Sequence, residues 1–214
     1  MPSNSILRSV LLLALIGFCT NCAFNRLPNS DERSKILAGQ QAVILIRVTA
    51  EMQDGTPVSA FPTKLMADNI NIGLGTFDTG GELKLVESPR FFSTELRKEG
   101  WTYLILESGT HYVGIFAPKP YSMHGKYAPR WRIDIPVDTH VVYIGTLHLH
   151  CTRVGYDFVG KRCIGIDEHR TVIRNEMVPA QKLAAQYFGD YGSQETLLMQ
   201  RHDSPTIIFQ TPRR

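Results

Sequence analysis

The sequence has no run of like charge. Its 23 basic and 20 acidic side chains are spread along 214 residues and leave a formal net charge of +3. No segment is suited to follow a nucleic-acid backbone, and solubility accounts for the balance. A hydrophobic run of the roughly 20 residues needed to cross a hydrocarbon core is also missing, since Val10 to Phe18 is only about half as long. Catalytic signatures are absent as well. There is no Gly-x-Ser-x-Gly elbow, no His-Glu-x-x-His helix, no phosphate-cradling loop ending in Lys-Ser or Lys-Thr, and no dinucleotide fingerprint. No residue is therefore assigned a catalytic role. Triads converge from distant positions without leaving a local motif, so an exported hydrolase of unknown substrate stays open on that ground alone.

What is present is a foldable body behind an export segment. Hydrophobic residues at 43% and charged residues at 20% are near globular averages, and a chain of this size buries one real core. Near the N-terminus, Arg8 precedes the apolar run, and the small or polar residues Cys19, Thr20, Asn21 and Cys22 follow it. This is the layout of a signal peptide. A buried helix fits less well, because the run is apolar on every face and a polar stretch, Asn25 to Ser34, comes next.

A cysteine just after such a run resembles the acceptor of bacterial envelope lipoproteins, whose lipidated thiol becomes the mature N-terminus. The resemblance makes Cys19 and Cys22 the lipidation candidates and implies a membrane partner through the lipid. Phe18 and Asn21 stand where that family carries a small residue. Lipidation, ordinary cleavage near Ala23 and an uncleaved anchor are the three alternatives. Downstream, Cys151 and Cys163 flank a Gly-containing segment. In an oxidising compartment they read as a disulfide across the base of a hairpin, and their spacing is unlike the Cys-x-x-Cys of structural zinc sites.

The expected organisation is a signal over 1–23, a linker over 24–40 and a single β-rich extracytoplasmic domain over 41–214. Ala42 to Ala50 is rich in β-branched residues and reads as a central strand. Alternation at Ile70, Ile72, Leu74 and Thr76, a turn at Asp78-Thr79-Gly80-Gly81 and renewed alternation from Glu82 to Val86 predict a hairpin. Trp101–Leu106 and His111–Phe116 about Ser108-Gly109 predict a second. Arg130–Ile135 and Val141–Leu149 are further strands. One amphipathic helix is expected near 178–188, with Pro179 in its first turn, Ala180, Leu183, Ala184, Tyr187 and Phe188 as its apolar stripe, and Gly189 ending it. The fold class is mainly β: an antiparallel β-sandwich or open barrel with one C-terminal helix. Gly109-Thr110-His111-Tyr112, a Gly-Thr turn opening an aromatic strand, resembles an element of prealbumin-like modules of bacterial exported proteins. That resemblance implies a β-sandwich and no particular activity.

Two local patterns bear on function. His148 and His150 are two apart on a predicted strand and point to one face, where two imidazoles suit copper or zinc. A third ligand is needed, and the spacing singles out none of His111, His124, His140 and His169. The plainer reading is a solvent-facing row on an edge strand, opposite Leu147, Leu149 and Cys151. The second pattern is aromatic. Tyr112, Tyr121, Tyr127 and Trp131, with basic residues interleaved from Lys119 to Arg132, are candidates for a binding surface. A loop with snorkelling basic residues is the alternative, and Trp101 and Tyr143 are expected in the core. Asp167-Glu168-His169-Arg170 reads as a charged loop, because neighbouring residues point in different directions.

The leading functional expectation is a non-catalytic cell-envelope protein, exported to the periplasm or outer membrane, that binds or scaffolds another envelope component, protein or glycan. The alternative from a different class is a periplasmic metal-binding protein using His148 and His150.

Overall fold

The computed structural model describes residues 27–59, 61, 69–70, 73–77, 83–84, 89–116, 124–157, 160–167, 169–202 and 207–210. The N-terminal segment expected to direct export, with Cys19 and Cys22, lies outside them, as do Tyr121 and Glu168. No helix among the described residues is long and apolar enough to cross a membrane.

Helix α1, Ser30–Leu37, occupies part of the expected linker. Its start is a capping box: the Asn29 side chain accepts from the Glu32 backbone N–H, and the Glu32 carboxylate accepts from the Asn29 N–H. Asp31 and Glu32 in the first turn and Lys35 in the last complement the helix dipole. Ile36 is fully buried, and Glu32 holds the Arg90 guanidinium in a two-pronged ion pair. The segment is thus a docked part of the domain rather than a spacer.

Two sheets make the body. The first is built on two long strands, β1 (Gln41–Met52) and β9 (Val141–Asp157), lying side by side in parallel. Short strands continue it outward. β2 (Pro57–Val58) and β6 (Trp101–Glu107) pair with β1, while β10 (Gly160–Ile166), β11 (Val172–Arg174) and β12 (Gln194–Thr196) pair with β9, and β3 (Asn69–Ile70) pairs with β10. In the second sheet β7 (Gly109–Phe116) lies between β4 (Gly73–Phe77) and β8 (His124–Ile135). Beyond these, β5 (Leu83–Lys84) pairs with β4, and β13 (Gln200–Arg201) and β14 (Ile207–Gln210) pair with β8.

The chain is mainly β, in two sheets with a C-terminal helix. The central β1–β9 pair is parallel, however, where an antiparallel sandwich was expected. The segments about Ser108-Gly109 do not form a hairpin either. β6 pairs with β1 in the first sheet and β7 with β8 in the second, so the chain crosses between sheets at that corner, where Gly109 takes φ +130°. The hairpin about 78–81 is present as β4–β5, with Phe77 opposite Leu83.

Burial explains the apolar run in β1, because both of its faces are covered. Ala42, Ile44, Ile46 and Val48 face the second sheet and pack with Val142, Ile144, Leu147, Trp131, Ile133 and Ile135. A short helix α2 (Thr94–Lys98) leads into β6. Val43 and Leu45 face outward beneath helix α3 (Met177–Phe188), whose Ala180, Leu183, Ala184 and Phe188 cover them together with Tyr103, Val141 and Tyr143. Burying Leu183 and Phe188 contributes about 1.5–3 kcal/mol each. The α-helix ends at Phe188 with Gly189 at its C-cap, as expected. A 3-10 turn, Gly189–Tyr191, follows, and the chain breaks away at Gly192, where φ is +105° and an added Cβ would meet the His140 ring at 3.0 Å.

Candidate functional site

The outer face of the β1–β9 pair changes character along its length. At the end covered by α3 it is apolar. Beyond the helix, β1 presents Arg47, Thr49 and Glu51, paired in register with Thr146, His148 and His150 of β9.

A β-bulge creates this arrangement. Leu45 pairs with Tyr143 and Arg47 with Thr146, so β9 carries one extra residue between them. Gly145 there has φ +113°, a region that favours glycine, and an added Cβ would lie 2.6 Å from Ile173 Cγ2. Without the bulge, residues 145, 147 and 149 would follow Tyr143 on the outer face. With it, Leu147, Leu149 and Cys151 turn into the core, and Thr146, His148 and His150 turn outward.

Three side-chain atoms of kinds that can bind a metal, one each from Glu51, His148 and His150, lie within 4.8 Å of one another. His148 Nε2 is 3.5 Å from Glu51 Oε2, and His150 Nδ1 is 3.0 Å from Glu51 Oε1. Neither nitrogen meets the carboxylate with hydrogen-bond geometry, and both are buried atoms without a hydrogen-bond partner. The two imidazole planes stand at 88° with centroids 5.1 Å apart. The His148 side chain is only 7% exposed, whereas that of Glu51 is 32% exposed and opens the cluster to solvent.

Electrostatics favour ligation at His148. Burial is the first cause holding its pKa below the usual imidazole value, and the positive charge of Arg174 adds to it, outweighing the opposing pull of Glu51. The neutral imidazole that binds metals is therefore the form held at neutral pH. Thr49 Oγ1 sits 2.9 Å from His148 Nδ1, the nitrogen turned away from Glu51.

The sequence pattern put His148 and His150 on one face, as found, but the row is not a solvent-facing edge. β9 has partners on both sides, with β11 pairing Val172 opposite His148. The residue that joins the two histidines is Glu51, not one of the four candidate histidines. His140 Nδ1 contacts Ser193 Oγ at 3.0 Å, His111 Nε2 contacts the Glu107 carbonyl oxygen at 2.7 Å, and His169 is exposed in its loop. His124 lies in β8, with its side chain outside what is described. The alternation of Arg47, Thr49 and Glu51 after a fully apolar run was the signal for an outward polar stripe.

Of the four aromatic candidates, the structure describes the side chains of Trp131 and Tyr112. Trp131 is 2% exposed in the inter-sheet core and therefore presents no contact face, while Trp101 and Tyr143, each 3% exposed, are core residues as expected. Tyr112 is half-buried against the His202 ring, 4.7 Å between centroids. Tyr127 falls in β8, with its side chain outside what is described. The stretch ahead of Arg130 is strand from His124 on rather than loop. In the Asp167 loop the carboxylate accepts from the backbone N–H groups of His169 and Arg170, which is turn formation rather than chemistry.

Cys151 and Cys163 form the expected disulfide, with Cα atoms 5.7 Å apart, joining the antiparallel β9–β10 pair. A second polar cluster adjoins the site. The Glu176 carboxylate accepts from Arg47 Nη1 at 2.8 Å and from Thr146 Oγ1 at 2.7 Å. Tyr143 Oη lies 2.8 Å from Thr146 Oγ1 and accepts from the Glu176 N–H at 3.1 Å. These bonds tie the start of α3 to both central strands.

The fold and site together define a two-sheet β-domain carrying two histidines and a carboxylate on the half of its central strand pair that α3 does not cover. Comparison of the chain with family models, with curated proteins and with solved structures gave no match.

Proposed function

We propose that this chain is an exported protein whose β-domain binds a divalent transition-metal ion between Glu51, His148 and His150. The observation that carries this reading is the convergence of three ligand atoms, two of them buried ring nitrogens with no other partner. Ligand bonds of about 2.0–2.1 Å in a tetrahedral site place ligand atoms roughly 3.3–3.5 Å apart. The separations are 3.5 and 3.0 Å to the two Glu51 oxygens and within 4.8 Å throughout, so the side chains draw together to share one ion. Two imidazoles and one carboxylate suit zinc and copper(II). The Cys151–Cys163 disulfide and the signal-like N-terminus support an oxidising, extracytoplasmic setting, with attachment to the membrane through Cys19 or Cys22 as part of the proposal.

Calorimetric titration of the full chain with zinc and with copper(II) tests the site. The expected result is one equivalent bound, with affinity at least tenfold lower in Glu51→Gln and in His150→Ala while their circular dichroism is unchanged. No binding by the unmodified chain, or equal affinity in both variants, overturns the reading.

A further inference from the structure

The proposed site is short of ligands, and a cation stands beside it. Three protein ligands leave at least one position on the metal for an outside group. A divalent ion balanced only by Glu51, with two neutral imidazoles, retains one positive charge.

On β11, Val172 pairs with His148 and Arg174 with Thr146, so both β11 side chains share the outer face with the histidines. Arg174 is diagonal to His148 in the ladder, a separation of about 7–8 Å that a long side chain spans. Arg174 is exposed, and its guanidinium makes no ion pair among the described residues. Arg47 differs, because it is taken up by Glu176. A fixed cation next to a metal site weakens binding of the bare cation. It becomes favourable once an anion lies between the two. The planar fork of arginine matches two oxygens of one anion.

Resting on the metal reading, we infer that the bound metal takes a small oxyanion, a carboxylate or a phosphate, as its outside ligand, with Arg174 holding the anion's remaining oxygens. The site then recognises a metal–oxyanion pair rather than a metal alone. Ligand exchange is the only chemistry invoked: the oxyanion displaces water from the metal, and no bond within it breaks.

The test uses the full chain loaded with cobalt(II), whose visible absorption band reports its coordination. Acetate and inorganic phosphate are titrated in turn, with chloride as an anion that arginine cannot fork. The expected result is a band shift by acetate, phosphate or both that saturates. The affinity of that response should fall at least tenfold in Arg174→Ala and less in Arg174→Lys, while chloride responds equally in all three. A cobalt band that ignores both oxyanions, or that responds with the same affinity in Arg174→Ala, overturns the oxyanion inference and leaves the metal site standing. No cobalt band at all, together with no zinc or copper binding, overturns both.

Discussion

The Thr49 hydroxyl lies 2.9 Å from His148 Nδ1, and this contact decides which ring nitrogen faces Glu51. When Nδ1 carries the proton and donates it to Thr49 Oγ1, Nε2 keeps its lone pair toward the cluster. Metal-ligating histidines are held in this way by an outer partner, and losing that partner costs roughly 10–100-fold in metal affinity.

Thr49→Val keeps the shape of the side chain and removes the hydroxyl. Metal affinity is expected to fall by about tenfold or more, and stability by about 1–3 kcal/mol as a buried imidazole nitrogen loses its partner. Calorimetry and urea denaturation read the two effects separately. Unchanged metal affinity would show that Thr49 supports only the fold.

Gly145 sets the face on which the histidines lie. Gly145→Ala puts a Cβ 2.6 Å from Ile173 Cγ2 in a backbone conformation, φ +113°, that alanine adopts only with strain. Strain of this kind costs about 1–3 kcal/mol, and crowding adds to it. The denaturation midpoint should drop, and metal affinity should drop with it if the bulge relaxes toward regular pairing. A variant as stable as the original chain would show that the bulge does not depend on glycine.

Gly145 also marks where the sequence stopped being informative. Period-two alternation in Thr146–Cys151 was enough to set both histidines opposite Leu147, Leu149 and Cys151, because pleat geometry is local. The stripe on α3 was equally local. Glu51 as partner was not legible, since a parallel pairing between strands about 100 residues apart is decided by packing over the whole sheet and by a bulge that shifts register by one. The supposed hairpin at Ser108-Gly109 failed for a related reason. A Ser-Gly corner between strands reads the same whether the chain turns back within one sheet or crosses to the other. Trp131 was misplaced because an aromatic beside arginines fits both a surface patch and a core strand with exposed neighbours, and Arg132 and Asp134 are those neighbours. The capping box at Asn29 and Glu32 is a local pattern that the linker reading passed over.

Glu176 gives the domain an acid-sensitive clamp. Burial raises its pKa, but hydrogen bonds from Thr146 and Arg47 and the arginine charge outweigh burial, so the carboxyl is held below its usual value. The folded state therefore releases this proton more readily than the unfolded chain, and the stabilisation is full above the ordinary glutamate pKa of about 4.3 and fades as pH falls through the lower folded value. Glu176→Gln should destabilise the domain at pH 7 by about 1–3 kcal/mol, as Arg47 loses its partner. The gap between the two proteins should narrow below about pH 4. Denaturant midpoints across pH 3 to 7 measure this, and a gap that stays constant would mean that Glu176 acts through shape alone.

Tyr103 is expected to weaken the fold in alkali. Its ring is fully buried between Phe92 and Phe188, with centroids 5.0 and 5.3 Å away, and burial drives its pKa from 10.0 up to about 12 despite the nearby Arg90. Between those values the unfolded chain has lost the phenol proton and the folded chain still holds it. Stability is therefore complete below about pH 10 and falls as pH rises toward 12, by about 3 kcal/mol in all at about 1.4 kcal/mol per pH unit. Tyr103→Phe keeps the ring stack and removes the titrating group. Its unfolding free energy should decline less steeply than that of the original chain from pH 10 upward, with the difference growing toward pH 12. Parallel decline of the two proteins, followed by circular dichroism in denaturant at each pH, would mean that other groups set the alkaline limit. An absorbance titration at the phenolate wavelength separates the cases, because a Tyr103 that ionises only as the fold opens adds a cooperative step that Tyr103→Phe lacks.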